Sequence, residues 1–156
     1  MPTVEEHLAT LGKTPDELAR LIEGAPEARL TTRPAPDAWA PTEILCHLRD
    51  TEESFSTRLS LTLDNDDPRW PPGGDADRWA SERQYLRCDG RLALAAFARR
   101  RAESLARLGA LTPEQWSRTG THPKRGKMTI RDLVEFWAWH DGNHVAQLAR
   151  AMRGEP

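Results

Sequence analysis

A chain of 156 residues suits one domain around one core. Its composition, 38% hydrophobic and 29% charged, suits a soluble folded chain rather than a disordered one, and it has no run of about 18 apolar residues that would cross a bilayer. The net charge of −2, with both signs dispersed, leaves no basic face for nucleic acid and no cationic block for an anionic membrane surface.

The opening stretch, MPTVEEHLATLG, is acidic and amphipathic, unlike a signal peptide. Cys46 and Cys88 form no CxxC pair, so reduced thiols in a cytoplasm are expected. The first helix is predicted from about Val4 to Glu23, interrupted near Gly12, with Thr14 as a cap and Pro15 opening a second segment. Gly24 to Ala38, with three prolines, reads as a connector. A second helix starts at Pro41 and runs to about Leu63. Ala40 is a poor cap, so this start rests on a Trp39/Ile44 staple and on Glu43 at the third helical position.

Leu63 to Asp77 reads as a long loop, a feature that is often functional in compact domains. The third helix spans about Asp89 to Leu108, anchored by Leu92, Leu94, Phe97, Leu105 and Leu108 and ended by Gly109. Its Arg99-Arg100-Arg101 run reads as solvated. Thr112 to Trp116 predicts a short helical turn, and Ser117 to Lys127 a polar loop. The fourth helix takes Thr129 as its cap and runs to about Arg153, stopping at Gly154. Strand alternation is absent, so the pattern argues for an all-α four-helix bundle with long connections.

Turning each helix by about 100° per residue places the histidines. Ile44, Leu48, Thr51, Phe55, Leu59 and Thr62 form the core stripe of the second helix, with His47 on its flank beside Thr51, Ser54 and Arg58. In the fourth helix, Ile130, Val134, Trp137, Asp141, Val145 and Leu148 form the stripe, flanked by His140 and His144. A lone histidine beside a core is ordinarily a packing residue. Two at spacing four point their imidazoles to one place, and a third from a facing helix completes a metal site with an open position.

Three segments carry a family resemblance. Trp39-Ala40-Pro41-Thr42-Glu43-Ile44-Leu45-Cys46-His47-Leu48 resembles the WSPxExLxHL segment of the DinB-like superfamily of bacterial helical bundles. His122-Pro123 with Met128-Thr129-Ile130-Arg131-Asp132-Leu133 resembles its HPxxGxxTLRDLL segment, and Trp137 through Gln147 its WxxxHDxxHxxQ segment. Asp77-Arg78-Trp79 also suits the family. The resemblance covers nearly the whole chain. It implies a single domain over residues 1–156, an up-up-down-down bundle, homodimers, and a divalent metal held by His47, His140 and His144. Nickel, zinc and iron all suit such a site. Characterised relatives include transferases and isomerases that use bacillithiol, mycothiol or glutathione, which implies a small-molecule substrate with a thiol cosubstrate.

Three neutral imidazoles would leave a metal cationic, so that a bound water or thiol is deprotonated near neutral pH. Three further residues are catalytic candidates. Asp141 is read either as the acceptor that orients a histidine N–H or as the partner of a buried arginine. Arg58 either binds a substrate carboxylate or is solvated. His122 is either a substrate contact or general acid, or a plain surface histidine. Cys46 points about 100° away from His47 and is no ligand. Asn143 and Gln147 point further round, toward a dimer partner or the third helix. Gly142 makes room beside the metal or for a neighbouring helix. The competing reading is a non-catalytic bundle that dimerises or binds a small ligand, its metal structural or incidental.

Overall fold

The computed structural model describes residues 1–156. Helix α1 spans Val4–Ile22, and Thr3 caps it in a reciprocal capping box with Glu6. The expected break near Gly12 is absent. Pro15 sits inside a continuous helix, and the Thr14 hydroxyl is buried rather than capping. A short helix α2 (Glu27–Leu30) precedes α3 (Pro41–Asp64). Glu43 accepts the Ala40 N–H at 3.1 Å and pairs with Arg33 at 2.7 Å, which supplies the cap that Ala40 lacks.

The predicted loop after α3 gives way to helix α4 (Ala76–Glu82) and a 3-10 turn (Tyr85–Arg87). Helix α5 (Gly90–Gly109) is capped by Asp89, and α6 (Pro113–Trp116) is the predicted turn. Residues 117–127 are not simply loop: β1 (Thr119–His122) and β2 (Gly126–Thr129) form an antiparallel hairpin. Helix α7 (Ile130–Met152) follows directly, with Thr129 as its cap.

α3 packs against α5 and α7, and α1 packs against the same two helices, so α1 and α3 are diagonal. Contacts fix the directions. Glu52 meets Arg101 and Ser56 meets Arg107, so α3 and α5 run parallel. Phe55 meets Phe136 and His47 meets His144, so α3 and α7 are antiparallel. Leu11 meets Arg101 and Ile22 meets Arg91, so α1 and α5 are antiparallel as well. Around the bundle, two adjacent helices therefore run one way and two the other, the up-up-down-down arrangement; in chain order this becomes up, down, down, up. Parallel neighbours need a connection that travels the length of the bundle. That requirement explains the long crossover between α3 and α5.

Two apolar cores share the interior. One gathers Leu18, Ile44, Leu48, Tyr85, Phe97 and Leu148; the other gathers Leu11, Phe55, Leu59, Trp70, Leu108, Val134 and Trp137. On every long helix a polar side chain lies at the boundary between them: Thr14, Glu52, Arg101 or Asp141, each at most 2% exposed. Arg101, read as solvated, is the centre of this layer.

The connections are tied down by polar contacts. Asp50 on α3 receives Arg83 and the Tyr85 hydroxyl from the crossover. Arg118 donates to the Thr62 carbonyl at 2.8 Å, satisfying an orphan group at the end of α3. Trp70 donates its Nε1–H to Thr62 and packs against Gly120, where a Cβ would stand 2.1 Å from the indole. Only glycine allows that approach.

Candidate metal centre

His47 is placed by the second turn of α3, and His140 and His144 by successive turns of α7. His47 Nε2 lies 3.3 Å from His140 Nε2 and 3.0 Å from His144 Nε2, and one atom from each ring falls within 4.8 Å of the others. One proton on His47 Nε2 satisfies only one of its two neighbours. A shared cation satisfies all three lone pairs. At metal–nitrogen bonds of about 2.0–2.1 Å, nitrogen ligands stand about 3.0 Å apart at right angles and about 3.4 Å apart in a tetrahedron. The observed spacings fit a divalent ion without selecting between these geometries.

The rings are held in orientation by their surroundings. His144 Nδ1–H donates to Gln147 Oε1 at 2.7 Å, which turns Nε2 toward the other imidazoles. Trp39 stacks obliquely on His47 with centroids 5.0 Å apart, and Phe55 meets His140 edge-on at 5.4 Å. Burial and the neighbouring His144 push His47 down to about 3, and burial with both partner histidines pushes His140 down to about 2. Burial lowers His144 as well. Neutral imidazoles are the form that ligates a metal.

The catalytic candidates fall in two places. Asp141 belongs to the interior layer. It takes Arg101 through two hydrogen bonds, Nη1 to Oδ2 at 2.6 Å and Nη2 to Oδ1 at 3.0 Å, and accepts the Thr14 hydroxyl at 2.6 Å. None of its bonds goes to a histidine, so the buried ion pair describes it. Arg101 also binds Glu52 through Nε and Nη2 and the Leu11 carbonyl through Nη1, which uses all five of its donors. Burial alone would lower Arg101, yet the bonds to Glu52 and Asp141 hold it above the usual arginine value. Trp137 Nε1 completes the layer by donating to Glu52.

Arg58 and His122 instead line a cavity of about 280 Å³ that opens beside His47 and His140. Phe55, Phe136 and Trp79 form its apolar walls, and Gly73 and Gly74 of the crossover close one side. His122 Nδ1 accepts the Lys124 and Arg125 amides, which leaves its proton on Nε2. Burial and the charge of Arg58 lower its pKa. Arg58 is buried, which rules out the solvated alternative.

The remaining assignments divide similarly. Cys46 is buried against the Tyr85 carbonyl, and burial pushes its thiol up to about 12, so it is no nucleophile. Gln147 does not point away toward a partner: its spacing of three from His144 on one helix was the overlooked sign. Gly142 makes room for nothing, since a Cβ there would meet no atom within 4 Å.

Three converging imidazoles on facing helices, beside a small cavity, form a cluster that could hold a metal ion. The chain belongs to the DinB superfamily, whose family model matches residues 10–148. It is 28% identical over 138 residues to OB0782 of Oceanobacillus iheyensis, covering 85% of this chain and 78% of that protein. A Bacillus cereus protein is 24% identical over 152 residues, covering 94% of this chain and 86% of the relative. Both relatives are provisionally named metal-dependent hydrolases. Among solved structures, YfiT from Bacillus subtilis superposes with a TM-score of 0.88 at 22% identity, over 96% of this chain and 86% of its own. Its report assigns YfiT provisionally as a metal-dependent hydrolase with an unusual four-helix bundle topology. The relatives' names and the histidine cluster together support a metal-dependent enzyme. No helix is long and apolar enough to cross a membrane.

Proposed function

We propose that this chain is a divalent-metal-dependent enzyme that activates water or an external low-molecular-weight thiol against a small electrophile. The observation that carries the reading is the convergence of three Nε2 atoms beside a cavity. His47, His140 and His144 would hold the ion, with zinc, nickel and iron all compatible with three imidazoles. Such an ion, when bound, supplies a cationic centre that acidifies a ligated water or thiol. The chain's own residues then hold the substrate. Phe55, Phe136 and Trp79 exclude water from its apolar part, and His122 presents an N–H into the cavity. The cavity has no cysteine, so any thiol nucleophile would come from outside.

The non-catalytic alternative fits less well, because a structural metal site needs neither an adjoining cavity nor unpaired polar groups on its walls. Homodimerisation belongs to the same proposal, with Trp139, 58% exposed on α7, as a residue that a second copy would cover.

Activity of the metal-loaded chain on a panel of activated esters, amides and epoxides, with and without small thiols, tests the reading. Turnover should vanish on chelation and return on adding back zinc, nickel or iron. Turnover indifferent to chelation would refute it.

A further inference from the structure

The cavity beside the histidines has a charge pattern that a metal site alone does not require. The chain has 24 Asp and Glu residues, and none lines this cavity, whereas Arg58, Lys124, His122, His47 and His140 do. Arg58 is 6% exposed and joins no ion pair. Its Nε is sealed from solvent without an acceptor. Its guanidinium is held by aromatic rings, with Cζ 5.9 Å from the centre of Phe55 and 5.7 Å from that of Trp70. On the crossover side, a Cβ added at Gly73 would stand 3.6 Å from Nη2. The side chain is thus positioned but not neutralised. An uncompensated buried charge is costly, and a ligand that brings the counter-charge removes that cost.

We propose that the cavity takes a small substrate bearing a carboxylate, with Arg58 as its anchor and the reacting end of the molecule held toward the histidines. The two Nη atoms of a guanidinium match the two oxygens of a carboxylate, a pairing stronger than that between neutral groups. Arg58 is the one buried cation among these aromatic walls, Lys124 being exposed, and this suits a monoanion on an organic skeleton. Phosphate sites instead gather several N–H donors, as at a helix N-terminus. Which end reacts rests on the metal-centre reading above; the anchor itself does not.

The test uses benzoate and its neutral counterpart benzamide, titrated by calorimetry into the full-length chain after chelation. Wild type should prefer benzoate by about tenfold or more, the value of hydrogen bonds to a charged group. Arg58→Met should lose that preference and melt no lower than wild type, because it removes an unpaired buried charge. Arg58→Lys keeps the charge without the fork and should retain part of the preference. A failed metal site shows separately, as wild type that takes up no ion on reloading while still preferring benzoate. The proposal is overturned by a wild type with no preference, by an undiminished preference in Arg58→Met, or by a lower melting temperature for Arg58→Met. Inorganic phosphate that displaces benzoate at lower concentration than benzoate itself binds would also overturn it.

Discussion

Arg101 and Arg58 are both buried on the inner surfaces of the same bundle, yet one spends every donor within the chain and the other none. The layer around Arg101 joins all four long helices and closes on itself. The cavity and the histidine cluster beside it hold what that layer lacks: converging ring nitrogens on His47, His140 and His144, and a guanidinium without an anion. Polar groups completed inside the chain set architecture and register, whereas incomplete groups on the wall of an open cavity are where a ligand can supply the missing partner.

The largest effect should come from breaking the completed side. Arg101→Met strands Glu52 and Asp141 without their cation, and removing one partner of a buried pair costs about 3–5 kcal/mol. Chemical denaturation measures this, and a loss below about 1 kcal/mol would show that the layer is not needed.

Acid should act on the incomplete side. His47 falls to about 3 in the folded chain and His140 to about 2, against about 6.5 when unfolded. The unfolded chain therefore binds more protons between these values. Their neutral, buried state costs nothing above about pH 6.5, and stability declines as the pH falls from there toward 3. Melting of the metal-free chain across this range should show the decline, and the part due to His47 should disappear in His47→Ala. An unchanged slope in that variant would place the acid sensitivity elsewhere.

A smaller change is expected one shell out from the rings. Gln147→Leu removes the acceptor that orients His144 and should weaken metal affinity by about 10–100-fold while leaving the fold intact. Competition with a chromophoric chelator reads this, and wild-type affinity would mean that Gln147 plays no part. The smallest effect lies outside both regions. Gly142→Ala, on an open helix face, should stabilise by up to about 1 kcal/mol.

The long helices were legible because their apolar stripes are regular and their ends carry Pro41, Asp89, Thr129 and Gly154. The three histidines were legible for the same reason: helical spacing fixes which side chains share a flank. Asp141 was correctly seen as buried, but its partner was not, because a run of three arginines does not reveal which one turns inward. The hairpin escaped notice because strands of four residues are too short to show alternation, and they are held by contacts with Pro68 and Trp70 from distant sequence. The end of the crossover escaped for a similar reason: Arg83, just after α4, and Tyr85 of the 3-10 turn dock on Asp50, more than thirty residues away. Bundle packing of the second helix beside the fourth brought the remote His47 toward the pair on α7, and the family resemblance pointed to the same three residues.

The claim on which the proposed function depends is that these three imidazoles hold a metal. Elemental analysis of the untagged full-length chain, beside His47→Ala, tests it most directly. About one divalent ion per chain in wild type and none in a still-folded variant is the predicted result. Wild type that stays metal-free after incubation with zinc, nickel and iron, or a variant that retains the full complement, would contradict it.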